Sequence, residues 1–244
     1  MNRPSTSYNS HGSGSRNDNL VTCAFYNKIG ACRHGEKCAK KHIRPTISKT
    51  ILVYNLYQNP KLNKTDPPSE AQIQETFNQF YRDIFIHFAK LGEVSDIVVC
   101  ENENNHLNGN VYVRYKSEDQ ANDAAIRLNQ EWFNGRPVHC ELSPVDSFPE
   151  ANCRAYDTDS CERAEHCNYM HVRRTDVQIK DELVKAHKKS CLLKRLSQLK
   201  QDGNIPTSGG SGGAGSDDVD KDETDNKKSS TNKVTTSIVQ QLFA

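Results

Sequence analysis

Residues 23–42 read CAFYNKIGACRHGEKCAKKH and residues 153–171 read CRAYDTDSCERAEHCNYMH. The first stretch sets Cys23, Cys32, Cys38 and His42 at the spacing C-x8-C-x5-C-x3-H, and the second sets Cys153, Cys161, Cys167 and His171 at C-x7-C-x5-C-x3-H. Three thiolates and an imidazole are the donor set of a closed, four-coordinate structural zinc site, with no position left for a substrate water. Two independent matches to one spacing argue against chance, so the chain is expected to hold two Zn(2+) ions as scaffold. A module this short has no hydrophobic core of its own. Metal binding supplies its folding energy, on the order of 10–16 kcal/mol.

Outward from the clusters, composition narrows the rest. Six of the nine cysteines fall in the two clusters, and Cys100, Cys140 and Cys191 remain as an odd, irregularly spaced set. That usage fits a reducing compartment with metal-bound thiolates better than a disulfide framework. No apolar run in the 244 residues approaches membrane-spanning length, and Met1 leads into polar residues without a signal-peptide core, so no membrane role is expected. Residues 1–19 and 202–244 are poor in apolar side chains and rich in Ser, Gly, Asn and Asp, and read as disordered termini. Within the tail, the stretch ending Ile238-Val239-Gln240-Gln241-Leu242-Phe243-Ala244 is apolar enough for a short binding motif. The expected division is finger one at 20–46, a central domain at 47–145, finger two at 146–174 and a basic helix at 175–201.

A net charge of +1 conceals local cationic patches. Residues 21–50 carry seven cations, Arg33 and Lys40 among them, against Glu36 alone, and residues 176–201 carry seven against three acids. A local patch attracts phosphates whatever the total; the 176–201 run reads equally as a solvated helix face. Finger two is net acidic over 146–175, with six carboxylates to four arginines. Any nucleic acid it touches is therefore met through a few specific contacts beside finger one. The residues between the ligands decide that chemistry: Phe25-Tyr26 and Arg33-His34-Gly35 in finger one, Arg154, Tyr156 and Asn168-Tyr169-Met170 in finger two. Aromatics among cations suit single-stranded RNA, where bases stack on rings at about 1–3 kcal/mol each. An aromatic could instead be a wedge over the metal. Of Phe25 and Tyr26, one of each kind is expected.

Residues 51–143 read as β-α-β-β-α-β. Strands are predicted at 51–56, 94–100, 109–115 and 137–142, with helices at 69–91 and 117–129. The long helix is apolar at Ile73, Phe77, Phe80, Ile84 and Phe88; Ser69 with Gln72 suits its N-cap and Gly92 its stop. Ile51-Leu52-Val53-Tyr54-Asn55-Leu56 resembles the RNP2 signature of an RNA recognition motif, and Asn108-Gly109-Asn110-Val111-Tyr112-Val113-Arg114-Tyr115 resembles RNP1. The departures are informative. RNP1 begins with a cation and stacks bases on aromatics at its third and fifth positions. Here Asn108 and Asn110 stand at the first and third, Leu52 replaces the RNP2 aromatic, and Tyr112 alone survives. The sheet is expected to bind RNA weakly at best. Trp132, the only tryptophan in the chain, precedes Phe133-Asn134-Gly135 and reads either as buried core or as an exposed anchor for a protein partner.

These motifs in this order, with Glu141-Leu142-Ser143-Pro144-Val145 and Cys167-Asn168-Tyr169-Met170-His171, closely resemble the small subunit of the U2 snRNP auxiliary factor over about 20–175. The resemblance implies an α+β fold: an RRM-like βαββαβ domain, the U2AF homology motif, flanked by two CCCH zinc fingers. It further implies a nuclear pre-mRNA splicing factor whose paired fingers recognise the AG of single-stranded pre-mRNA at the 3′ splice site. The central domain would heterodimerise with the large subunit. At matching positions it implies RNA contacts at Phe25, Arg33, Lys40, Arg154 and Tyr169. Trp132 would insert between partner prolines, with Phe133 and the long helix receiving the partner's tryptophan. The family's Arg-x-Phe is Glu131-Trp132-Phe133 here, and the usually acidic helix carries Arg82, which suggests a reversed Glu131–Arg82 pair. An acidic Gly/Ser-rich tail stands where the family has arginine–serine repeats.

Two function classes stand beside each other on these grounds. One is a splice-site reader; the other is a protein–protein adaptor with structural fingers and little RNA specificity. An enzyme with a small-molecule substrate is disfavoured because both metal sites are filled by protein ligands.

Overall fold

A computed structural model describes residues 21–63, 65, 68–201 and 240–241, so the readings of 1–19 and of nearly all of 202–244 fall outside the described residues. In chain order the elements are α1 (Ala24–Ile29), β1 (Thr50–Val53), α2 (Glu70–Leu91), β2 (Val94–Cys100), β3 (Val111–Tyr115), α3 (Glu118–Leu128), β4 (Trp132–Phe133), β5 (Arg136–Pro137) and β6 (Cys140–Leu142). Then come α4 (Phe148–Ala151), α5 (Arg154–Asp157), β7 (Val172–Arg173) and α6 (Val177–Gln201). The main sheet has the order β6-β1-β3-β2-β7, with every pairing antiparallel.

Helix α2 forms where its pattern places it. The Ser69 hydroxyl accepts from the Gln72 N–H, and the Gln72 side chain accepts from the Ser69 N–H, a reciprocal capping box. Ile73, Phe77, Tyr81, Ile84, Phe85 and Phe88 then bury one face against the sheet. Phe80 lies at the margin of this core, partly buried.

Three strand boundaries differ from the pattern for backbone reasons. The first strand stops at Val53 because Asn55 turns the chain at φ 47°, its N–H donating to Asn110 Oδ1. The third starts at Val111 because Gly109 sits at φ 70°, where an added Cβ would lie 2.2 Å from the Tyr57 carbonyl oxygen. The segment assigned to the last strand instead contributes β5 to a hairpin and β6 to the sheet. Asn134 and Gly135, at φ 49° and 72°, supply the two left-handed residues of a tight hairpin turn between β4 and β5.

Alternation divides the sheet. Ile51, Val113, Ile97 and Val99 join the core under α2 and α3. Leu52 opposite Tyr112, and Tyr112 opposite Val98, form a row on the other face. That row is sealed. Ile29 and Ala31 of finger one, Val145, Phe148 and Ala151 of the following segment, and Met170 of finger two pack over it. The fingers thus gain a core after all, by sharing the sheet's second face. Tyr112 is fully buried and its hydroxyl donates to the Ile29 carbonyl at 2.7 Å. The one surviving RNP aromatic is therefore a docking post for finger one, not a platform for a base.

Helix α6 takes up the basic run with one face buried and its cations on a solvated face. Leu183, Ala186, His187 and Ser190 are buried, and α6 packs on α2 while its lysines stay in water. His187 Nε2 accepts the Val94 N–H at 3.0 Å, and its ring meets Phe85 edge-on at 5.8 Å. Among the described residues no helix is long and apolar enough to cross a membrane.

Candidate metal centres and nucleic-acid interface

Each Cys3His set converges on a point. The ligand atoms of Cys23, Cys32, Cys38 and His42, and those of Cys153, Cys161, Cys167 and His171, lie within 4.8 Å of one another. Cys32 and Cys38 sulfurs are 3.9 Å apart, the Cys153–Cys161 and Cys153–Cys167 pairs 3.7 Å, and Cys161 Sγ lies 3.4 Å from His171 Nε2. Four ligands around one tetrahedral ion with metal–sulfur bonds of about 2.3 Å put sulfurs about 3.8 Å apart, so the donors fit a metal. His42 Nε2 is buried without a hydrogen-bond partner, as a nitrogen reserved for a metal would be.

The local electrostatics divide the thiols of each set: burial pushes Cys32 up to about 11 and Cys167 up to about 12, while one thiol in each finger is lowered. Burial alone raises the Cys23 and Cys161 thiols. Backbone N–H groups of Tyr26 and Phe25, or of Arg163 and Ala164, with the neighbouring thiols, pull both below the ordinary value. Burial pulls His171 down as well, toward the neutral imidazole that a ligand must be. A tyrosine lies flat on each histidine, Tyr26 on His42 at 4.4 Å and Tyr156 on His171 at 3.9 Å, both at 7°. Tyr26 is the buried wedge, and Phe25, 42% exposed, is the free ring of the pair.

The fingers stand side by side. Phe25 and Tyr169 meet edge to face with centroids 6.3 Å apart, Lys28 Nζ hangs 6.0 Å from the Tyr169 ring, and Lys28 approaches Glu150 at 3.9 Å. Beside Tyr169 opens a cleft of about 580 Å³ whose walls include Arg154, Arg163 and Lys28. Of the five side chains matched to RNA contacts, Phe25, Arg154 and Tyr169 thus gather at the finger junction. Arg33 is exposed with its Nε against His34 at 3.3 Å, and Lys40 is exposed with no ion pair among the described residues. Lys28 and Arg163 were not singled out in the sequence as site residues; only their placement between ligands hinted at them.

Trp132 and Phe133 lie on the opposite layer, on the side of α2. Trp132 is 71% exposed on β4, which settles its two readings against core. Phe133 packs against Phe80 at 6.0 Å, and Phe80 against Tyr57 at 5.1 Å. The reversed Glu131–Arg82 pair is not formed. Glu131 Oε2 instead meets His87 Nε2 at 2.7 Å, while Arg82 points to solvent without an ion pair among the described residues. Five residues along a helix rotate the side chain by roughly 140°, so Arg82 and His87 face different directions.

Comparison with known proteins agrees with this architecture. The family model for the RNA recognition motif matches residues 70–139. The splicing factor U2AF 23 kDa subunit of Schizosaccharomyces pombe is 45% identical over 185 residues, covering 75% of this chain and 86% of that protein. The splicing factor U2AF 26 kDa subunit of Bos taurus is 44% identical over 160 residues, covering 63% and 73%. The transcriptional regulator of yeast form adherence 2 of Candida albicans is 32% identical, covering 83% and 91%. Two of these relatives are splicing factors by name, and the third is a transcriptional regulator. On this sequence likeness the chain belongs to the U2AF small-subunit family of splicing factors.

Proposed function

We propose that this chain is the RNA-reading small subunit of a nuclear splicing heterodimer, its two fingers each holding Zn(2+) and together recognising the AG at a 3′ splice site. The observation that carries this is the Phe25–Tyr169 junction, where two aromatic rings from separate fingers lie 6.3 Å apart beside a cleft lined by Lys28, Arg154 and Arg163 together with Glu150 and Glu162. A base entering there stacks on a ring, at about 1–3 kcal/mol. Arg154, with Arg33 and Lys40 farther along finger one, supplies charge for phosphates and donors for base edges, each good contact giving about 1–3 kcal/mol of discrimination. Zinc supplies no chemistry here beyond holding the backbone, since all four positions are taken by protein. The central domain receives the large subunit: exposed Trp132 anchors a proline-rich segment, and Phe133 with Phe80 on α2 lines the recess for its tryptophan.

The test is fluorescence anisotropy on the chain bound to a large-subunit tryptophan-motif peptide, with pyrimidine-rich RNAs ending in AG or AC. Tighter binding to AG, abolished by a chelator, supports the reading, and W132A is expected to weaken the peptide by about 2 kcal/mol or more. The second reading, an adaptor with structural fingers, is favoured by one observation: the sheet face that bears the RNP positions is sealed under the fingers. Equal affinity for AG and AC with the peptide still bound would select it.

A further inference from the structure

The two stacked tyrosines end differently. Tyr26 Oη is buried and makes no well-aligned hydrogen bond, with Glu141 and Arg44 near enough only to act on it loosely, whereas Tyr156 Oη donates to Glu101 Oε1 at 2.7 Å. Glu101 Oε2 is held by Arg173 Nη1 at 3.0 Å and Lys61 Nζ at 3.2 Å, and Arg173 Nη2 continues to Glu70 at 2.9 Å and Gln74 at 2.8 Å in the first turns of α2. The residues that follow close on the same finger. The Asn102 amide donates to the Tyr169 carbonyl and accepts the His171 N–H, both at 2.9 Å. Asn104 donates to the Cys167 carbonyl at 2.8 Å. Both asparagines are buried, so these bonds are exchanged for nothing in water if lost.

One short loop thus grips both C-terminal ligands of finger two, the tyrosine stacked on the histidine, and the backbone that presents Tyr169. Finger one has only a looser counterpart: Glu141 and Arg44, 3.9 Å apart, stand near the Tyr26 hydroxyl, and among the described residues no buried asparagine closes on its ligand backbone. Burial and the hydrogen bond to Glu101 both raise the Tyr156 phenol, which keeps its proton on the donor side. At Arg173 burial works against the charge, but Glu101 and Glu70 outweigh it and raise the guanidinium.

We propose that Glu101, Asn102 and Asn104 are positioning residues of the RNA-reading surface: they fix the metal geometry of finger two and the orientation of Tyr169, and so preset that half of the site before RNA arrives. Partners just outside a metal's ligands commonly alter its retention 10- to 100-fold. The aim of Tyr169 follows from the same bonds, and this part rests on reading Tyr169 as a base contact.

The experiment compares wild type, Y156F, N102D and Y26F in the full zinc-loaded chain. Zinc transfer to a chromophoric chelator should show two phases, one per finger. Y156F, which keeps the stacked ring and removes one oxygen, is expected to accelerate one phase roughly 10-fold. N102D keeps the acceptor for His171 N–H but loses the donor to Tyr169. It should accelerate the same phase and lower the AG-to-AC affinity ratio, with large-subunit peptide affinity unchanged. Y26F should leave both phases as in wild type. Unchanged release in Y156F and N102D, or equal acceleration by Y26F, overturns the proposal. Wild type without any AG preference would overturn the RNA reading instead, while the release rates still decide the clasp.

Discussion

Finger one and finger two share a ligand set, a stacked tyrosine and a common apolar face, yet they join the central domain by different means. Finger one is seated by shape: fully buried Ile29 enters the sheet row, its carbonyl is caught by Tyr112, and Gly30 passes so close that a Cβ would lie 2.6 Å from Ser143 Oγ. Finger two is continuous with the sheet. Its exit forms β7, pairing Cys100 with Val172 and Val99 with Arg173, and the chain runs on into α6. The difference teaches that identical metal chemistry can serve a module packed onto the sheet on one side and a module that continues the sheet's own framework on the other.

The strongest way to break that comparison is to remove one ligand from each finger. The metal term is on the order of 10–16 kcal/mol, as large as a whole domain's stability. C23S is expected to unfold finger one and leave the α2/α3 core intact. C167S should also loosen β7 and the start of α6. Amide exchange across β2 reads the outcome, and equal protection in the two variants would erase the distinction. Next in size, I29A and M170A each remove a fully buried side chain and should each cost about 2–5 kcal/mol. Denaturant midpoints measure this, and M170A alone should expose α6 to protease.

Smaller effects sharpen the picture. Y112F deletes the hydroxyl that holds Ile29 and should cost about 0.5–1.5 kcal/mol, with the salt dependence of RNA binding unchanged because no base reaches the ring. Acid should act on the finger-two side through His187. Burial depresses its folded pKa, with Glu93 opposing and Lys194 adding to the shift. The unfolded chain therefore takes up its proton first. The stability this group contributes is whole above its unfolded value of about 6.5 and fades as pH falls from there through the depressed folded value. H187Q, whose carbonyl can still accept the Val94 N–H, should flatten the slope of melting temperature between pH 7 and 5.5. Smallest of all, E150Q breaks an exposed 3.9 Å contact between the fingers and should change stability by less than about 0.5 kcal/mol.

Much of this architecture was legible because it is written in local patterns. The ligand spacings announce two metal sites, and Ser69, Gln72 and Gly92 bracket α2 because capping is decided within a few residues. Other parts were not. Leu52, Tyr112 and Val98 would look the same in sequence whether their row met solvent, RNA or another module. Asn110 reads as a lost stacking ring, yet its buried amide has a structural task, accepting the Asn55 N–H and donating to the His106 carbonyl. The expected Glu131–Arg82 exchange failed because charge matching ignores helical rotation, which brings His87 to the glutamate instead.

The sequence by itself determined the two Cys3His centres, the βαββαβ order and the family, since spacing, periodicity and turn residues act over short stretches of chain. Only the tertiary structure decided that Phe25 is free while Tyr26 covers its histidine, that Tyr112 is sealed, and that Trp132 is exposed. The same holds for the clasp, whose bonds to finger two join residues 55 to 72 positions apart. Those outcomes depend on which surfaces exclude water from one another, and that is fixed when distant segments pack together.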